Sequence, residues 1–391
     1  MPENRAAVEF TVDLLAGGEE LTLRRPLIYK WVDPVKGELW RPFEITPPVT
    51  VNLSEAVMVF GTNEPRQVSL LIRSSSDEGQ TGTIELRVPQ GWRVDPVSVP
   101  FELSVRGQEQ VKSVTVFPPL NNANGTLKAV ATVRGKQYDR ALEIISYDHI
   151  PVQTFLPVSE IKAVRIDLKK EGDRIGYIRG AGDDIPSALR NMGYEVWEMN
   201  NDEITSENLK DLDAVVLGIR AMNTNDRARF FMPIVLEYVK EGGTVIAQYN
   251  TNSRMQTEKF SPYELTIGRE RVSDETSEVR ILKSQHPVLN TPNKITAADF
   301  SGWVQERGLY FPSKWDERFE AILSMNDKGE EPRNGSLLVA RYGKGHYIYT
   351  GLSFFRELPE GVPGAYKLFA NLVSIGKGQY GGSSKTKILS H

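Results

Sequence analysis

The sequence predicts a multidomain protein: an N-terminal all-β antiparallel sandwich, then an α/β domain built on a mainly parallel, wound sheet. Three observations carry this. Residues 1–147 are a succession of alternating or β-branched runs divided by turn residues, with no helical period between them. Residues 148–160 (DHIPVQTFLPVSE) form a Pro-bearing connector. Beyond Ile161, apolar strands alternate with helical periods, the pattern of right-handed βαβ units.

The expected strands of the first part are Ala7–Leu14, Glu20–Trp31, Arg66–Arg73, Thr81–Val88, Val97–Val105, Gln110–Phe117, Thr126–Arg134 and Gln137–Ser146. Between them lie turn signals at Gly17-Gly18, Asp33-Pro34, Asp77-Glu78-Gly79, Pro89-Gln90-Gly91, Asn124-Gly125 and Arg134-Gly135. Asn124-Gly125 is expected to form a type I′ hairpin. Prolines 42, 47 and 48 divide the segment. Residues 1–46 are therefore expected to be a β segment, two strands of a neighbouring unit, and residues 47–147 the sandwich itself.

In the second part, residues 161–377, Arg174–Arg179 is an expected strand, Asp184–Met192 a helix and Tyr194–Met199 a strand. Ser206 is expected to cap a short turn. Ala214–Leu217 follows as a buried strand, Asp226–Lys240 as a long helix and Gly243–Tyr249 as another strand. A long irregular region then leads to strands Ser336–Arg341 and His346–Thr350 and to a helix from about Gly364 to Ile375. Asp184 suits an N-cap, and Gly193 and Gly242 stand where C′ glycines belong. Residues 378–391, within GKGQYGGSSKTKILSH, are expected to be a disordered tail.

With 391 residues the chain has room for two or three cored domains. Residues 1–150 hold 16 Lys+Arg against 19 Asp+Glu, and the remainder 31 against 32, so neither part has the basic excess of a nucleic-acid binder. No apolar run approaches a membrane span, and MPENRAAVEF lacks the regions of a signal peptide. Without cysteine there is no disulfide, thiolate metal site or cysteine nucleophile. The four histidines (149, 286, 346 and 391) show no paired spacing, and no metal ligands are expected.

Ligands of open α/β sheets bind beyond the carboxyl ends of the strands, which directs attention to four corners. At the first, Gly180-Ala181-Gly182-Asp183-Asp184 has glycines for a tight turn. It lacks the third glycine of a dinucleotide fingerprint, since position 185 is Ile, and its carboxylates would repel phosphate. Asp183 and Asp184 suit a sugar hydroxyl, a cation or a substrate amine; alternatively Asp184 caps the helix and Asp183 is solvated. At the second, Arg220 could clamp a carboxylate or pair with a surface acid. The third, VIAQYNTNSR at 245–254, offers Gln248, Tyr249, Asn250 and Asn252, amides suited to hydroxyl-rich ligands but also common in turns. At the fourth, Ser353 invites a nucleophile-elbow reading, which Phe355 in place of glycine argues against, and His346 lies at the opposite strand end. Separately, residues 299–310 crowd Trp303, Arg307 and Tyr310 into an irregular stretch that either walls a site or packs on the core.

The passages GYIRGAGDDIPSAL, YEVWEM, DAVVLG and GGTVIAQYN occur in the order found in class I glutamine amidotransferase-like domains, which residues 161–377 resemble. That resemblance implies a flavodoxin-like fold, with the family's cysteine position falling near Asn250, where no thioester can form. The longer phrases RPLIYKWVDPVKGELWRPFEITPPVTVN, DFSGWVQERGLYFP and YTGLSFFRELPEGVPGAYKLFANL make roughly residues 7 to 377 similar to the C-terminal accessory region of Bacteroidetes-type PIG-L (LmbE-like) family deacetylases. Residues 50–147 resemble the NEW3-type Ig-like modules attached to carbohydrate-active enzymes. In the PIG-L family zinc is held by an N-terminal His-Pro-Asp-Asp-type motif. Gly182-Asp183-Asp184 has no histidine before it, so zinc is expected only in a separate N-terminal deacetylase domain.

The expected function is that of a non-catalytic accessory region, a pseudoenzyme that binds a glycan or small polar ligand for a deacetylase of N-acetylated sugars. The deacetylase domain is the expected partner, in cis or in trans, in an oligomer or a monomer. The family resemblance implies a periplasmic or extracellular location. Two alternatives stay open: a hydrolase working through Asp183 or Asp184 with Arg220 orienting the substrate, and a structural or dimerisation module.

Overall fold

A computed structural model of the protein describes residues 4–377; the expected tail, 378–391, lies outside them. The chain divides into two compact units, giving a β plus α/β layout. The first unit holds the chain up to Ala56, Asn63–Leu120 and Asn124–Ala163; the second holds Val57–Thr62, Asn121–Ala123 and the chain from Val164 on.

In the first unit, one sheet runs Val49–Leu53, Arg66–Ser74, Glu109–Phe117, Arg93–Asp95. Another places Gln80–Arg87 between Ser98–Leu103 and Ala123–Val133. Alternate residues face inward as the period of a strand dictates: Val68, Leu70 and Ile72 in the first sheet, Ile84 and Leu86 in the second, are closed off from solvent. The expected hairpin at Asn124-Gly125 does not form. Both residues lie within the strand Ala123–Val133, and the preceding strand Glu109–Phe117 belongs to the other sheet. Glycine is required at 125 for a different reason, because a Cβ there would run into the Pro89 ring. Residues 148–160 are likewise more than a connector. Gln153–Phe155 pairs with Glu143–Ile145, and the Ser159 carbonyl accepts from Ala129 N at 2.9 Å.

Residues 1–46 form two hairpins rather than two strands. Glu9–Ala16 pairs with Glu19–Pro26, and Ile28–Asp33 with Gly37–Pro42. The expected single run Glu20–Trp31 breaks after Pro26, whose nitrogen has no hydrogen to donate to a ladder. Asp33 Oδ1 accepts from the backbone nitrogens of Val35 and Lys36, both at 2.8 Å, which sets the second turn. In the first hairpin Val12 stands opposite Leu23 and Leu14 opposite Leu21, so one face is apolar, and it is exposed.

The second unit is organised by a seven-stranded sheet. Its strands are β1 (Arg174–Ile178), β2 (Glu195–Met199), β3 (Ala214–Leu217), β4 (Thr244–Gln248), β5 (Phe319–Ala321), β6 (Leu337–Tyr342) and β7 (Gly345–Thr350). The order is β2-β1-β3-β4-β7-β6-β5; the pairings from β2 through β7 are parallel, and β6 and β5 join antiparallel. Every residue of β3 and β4 is buried, as continuous apolar strands covered on both faces must be. The helices are α1 (Ile185–Asn191), α2 (Ser206–Leu209), α3 (Ala221–Thr224), α4 (Ala228–Glu241), α5 (Phe354–Glu357) and α6 (Pro363–Ser374). Along α4 the buried residues Phe231, Met232, Val235 and Val239 recur at helical spacing. Thr205, not Ser206, caps α2, its hydroxyl accepting from Asn208 N at 3.2 Å. The region expected to be irregular contains an antiparallel ladder, Leu265–Val272 with Gly308–Trp315, whose register shifts mask the period of two.

Two glycines fix how the carboxyl ends of β1 and β3 meet. A Cβ on Gly180 would collide with the Ile219 carbonyl oxygen, and one on Gly218 with the Tyr177 hydroxyl. This approach lets Ala181 N donate to Ile219 O at 2.8 Å and Gly218 N to Ile178 O at 2.9 Å. Backbone cannot move aside as a side chain can. A Gly180→Ala protein is expected to lose about 1–3 kcal/mol of stability, read by calorimetry as a fall of roughly 3–10 °C in the Tm of the α/β unit; an unchanged Tm would contradict the contact.

Candidate functional site

Asp183 is the fixed point of the rim. Its Oδ1 accepts from the Tyr177 hydroxyl at 2.5 Å and from Ile185 N at 3.1 Å, and its Oδ2 from Ile219 N at 3.0 Å. One half-buried carboxylate thus joins the strand β1, the first turn of α1 and the loop after β3. Burial and the neighbouring carboxylate push the Tyr177 hydroxyl's pKa far up, so Tyr177 remains a donor. The expected division of labour between the two aspartates is reversed. Asp184 occupies the N-cap position but makes no side-chain cap bond and is exposed.

With Ile219 held, the chain turns sharply. Arg220 takes a left-handed conformation (φ 56°, ψ 24°), its N–H donates to Tyr249 O at 2.8 Å, and its carbonyl accepts from Asn223 N at 2.9 Å to begin α3. A left-handed non-glycine residue costs about 1–3 kcal/mol and persists where its surroundings over-determine it. Gln305, Glu306 and Tyr310 also have positive φ, and Tyr310 stacks on Tyr249 while Glu306 acts on its hydroxyl.

Tyr249, rather than Asn250, is the residue by which VIAQYNTNSR joins the aromatic cluster at the rim; it is 7% exposed and backs the half-exposed rings of Tyr310 and Phe355. Its ring lies parallel to Tyr310 (centroids 5.9 Å apart, 8° between planes) and 5.3 Å from Phe355. Ile219 and Leu309 complete this small apolar cluster. Burial raises the pKa of the Tyr249 hydroxyl; the positive charges of Arg220 and Arg356 oppose the rise and Glu306 adds to it. Glu306 is itself buried. Its Oε2 accepts from Arg271 Nη2 at 2.5 Å, while Arg356 Nε stands 3.4 Å from its Oε1, out of line for a hydrogen bond. The exposed Arg220 side chain has no acceptor among the described residues. The rim is therefore an aromatic platform bordered by three guanidiniums and one carboxylate.

The other expected site residues go elsewhere. Asn250 is buried and fully engaged: Oδ1 accepts from Met222 N (2.8 Å), and Nδ2 donates to Gln248 O (3.0 Å). Gln248 is buried in the sheet, and Asn252 is exposed. Ser353 is buried, its Oγ donating to the Glu306 carbonyl at 2.6 Å, so it braces the platform from beneath. Trp303 and Arg307 line a separate cavity. Gly180 meets the Ile219 backbone as described above. The sequence reading missed Arg271, Glu306, Phe355 and Arg356. Arg356 and Phe355 stand in the fourth corner next to Ser353 and could have been taken with it. Arg271 carries no local signal, since it arrives through a ladder of high sequence separation.

Among the described residues, this rim offers no nucleophile with a base. Ser353 is closed off, and His346 begins β7 at the opposite end from Ser353. The arrangement suits recognition by stacking and by charged hydrogen bonds.

No protein-family model matches the sequence, and no curated protein does. Among solved structures the chain is loosely similar to a protein described as a GMP synthase subunit from Thermoplasma acidophilum, at 15% identity and TM-score 0.37, over 54% of this chain and 97% of that one. It is also similar to WR4, a C. elegans MSP family member (10% identity, TM-score 0.18, 30% of this chain and 97% of that one). A third likeness is to E. coli alpha-2-macroglobulin, at 15% identity and TM-score 0.21, over 30% of this chain and 16% of that chain.

Beneath the platform, Glu357 is fully buried, accepting from Val304 N at 2.9 Å, with Ser353 Oγ 3.3 Å from its other oxygen. Burial pushes its pKa up from 4.5 to about 7. Between those values the folded protein holds a proton that the unfolded chain releases, so this group's contribution is complete below pH 4.5 and lost as pH rises through 7. The slope approaches about 1.4 kcal/mol per pH unit. Denaturant titrations between pH 5 and 7.5 are expected to show that loss in the wild type and a flatter profile in Glu357→Gln; equal slopes would contradict it.

Proposed function

We propose that the chain is the accessory region of a PIG-L (LmbE-like) family deacetylase and binds a glycan without catalysing a reaction. In this reading the first unit is a NEW3-type Ig-like module. The second is a flavodoxin-like, class I glutamine amidotransferase-like domain that has exchanged a nucleophile for a recognition surface. The observation that carries it is the stacked pair Tyr249 and Tyr310 at the corner between β4 and α3, with Arg220 and Arg356 acting on the Tyr249 hydroxyl. The flat apolar face of a pyranose ring fits an aromatic platform, and its hydroxyl and acetamido oxygens fit guanidinium donors.

The hydrolase reading is less well supported. A general base needs a free lone pair aimed at the substrate, and the Asp183 oxygens are occupied by Tyr177, Ile185 and Ile219. The same engagement leaves Asp183 ill suited to zinc, and Asp184 beside it stands exposed and alone among the described residues. Zinc chemistry would belong to a deacetylase domain lying outside these residues, in a periplasmic or extracellular setting.

Titration calorimetry of the full chain with N-acetylglucosamine oligomers is expected to give saturable heat. Arg220→Gln, a change at an exposed side chain, should weaken binding tenfold or more, equivalent to about 1.4 kcal/mol, with its Tm unchanged. Absence of heat with every oligomer, or equal affinity of the variant, would defeat the reading.

A further inference from the structure

Away from the rim, a cavity of about 520 Å³ is walled by Ser277, Val279, Phe300 and Trp303, with Arg307 at its base and Glu275 and Glu278 among its lining. Arg307 is only 5% exposed. Of the five N–H groups of a guanidinium, Nε donates to Ser277 O at 3.0 Å and one Nη1 hydrogen to Phe300 O. Nη2 has no acceptor, and no carboxylate lies within ion-pair distance of Arg307, among the described residues. Glu357, Asp274 and Glu275 act on it from farther off, and burial lowers its pKa in spite of them. A desolvated cation that lacks a counter-ion is costly unless something in the cavity compensates it. The Trp303 ring lies 5.8 Å from the guanidinium carbon, and Trp303 Nε1 is already committed to Asp299 O at 3.1 Å. That leaves the ring as an apolar wall.

The charges are sorted by depth. The cation is buried, while Glu275 and Glu278 are exposed, Glu278 sharing its carboxylate with the Arg280 guanidinium 3.4 Å away. Two glutamates at the mouth repel a multiply charged anion such as phosphate, yet they attract the ammonium of a molecule whose carboxylate reaches Arg307. Val279, Phe300 and Trp303 line the same cavity and give the apolar side chain of such a molecule a surface. We propose that this cavity is a second binding site, for a small zwitterion of the amino-acid class: its carboxylate pairs with Arg307 and its ammonium meets Glu275 and Glu278. The proposal is independent of the glycan surface, because neither its residues nor its probes are shared.

The test is a titration of the full chain with L-leucine, L-leucinamide, 4-methylpentanoate and inorganic phosphate, followed by calorimetry. Leucine is expected to bind, and the three analogues to bind at least tenfold more weakly, since each lacks or misplaces one charge. Arg307→Gln should abolish leucine binding. Because that variant removes a buried group and could unfold, the exposed pair Glu275→Gln/Glu278→Gln serves as the second arm. It should keep the wild-type Tm and bind leucine no better than the wild type binds 4-methylpentanoate. Leucine binding no tighter than any analogue, no binding at millimolar leucine, or unchanged affinity in the double variant would each overturn the proposal.

Discussion

The rim of the α/β unit depends on one carboxylate. Asp183 gathers three donors from three separate elements, the hydroxyl of Tyr177 on β1, the first amide of α1 and the amide of Ile219 after β3. Charge-assisted bonds of this kind are roughly twice as strong as neutral ones, and these close at a point where Gly180 and Gly218 have removed every obstructing Cβ. Once Ile219 is held, Arg220 must turn left-handed to place its amide on Tyr249 O. The platform follows from that turn.

What results is a rim at the carboxyl ends of the strands whose polar groups are largely committed to the fold. Asn250 spends its amide on Met222 N and Gln248 O, and Ser353 spends its hydroxyl on the Glu306 carbonyl. Both groups are here structural. The groups left exposed or half-exposed are Arg220, Tyr310, Phe355 and Arg356. Strain gathers at the same corner, where Arg220, Gln305, Glu306 and Tyr310 all have positive φ, with Arg134 and Arg254 as the other non-glycine cases among the described residues.

Much of this was legible beforehand. The parallel strands read directly because β3 is an unbroken apolar run and β4 holds another at Val245-Ile246-Ala247, and the helices read because α4 repeats its buried residues at helical spacing. The corners follow from topology, and Asp183, Arg220 and Tyr249 stand at three of them. What could not be read was contact at long range. Asn124-Gly125 has the composition of a hairpin, but the strands around it belong to different sheets and the glycine serves Pro89. Asp184 looks like the cap by position, yet its predecessor makes the bonds. Arg271 reaches Glu306 only through a ladder with register shifts, for which no local pattern exists. Residues 1–46 form their two hairpins around a proline that periodicity alone does not weigh.

The most direct measurement is the hydrogen exchange of the Ile219 amide in the intact protein. It sits in a loop at the edge of the sheet, where exchange would ordinarily be fast. Bound to Asp183 as described, it should exchange only on the timescale of β1 and β3 themselves, and Asp183→Ala should release it while leaving the strand amides protected. Rapid exchange of Ile219 in the wild type would show that the carboxylate does not hold the rim together.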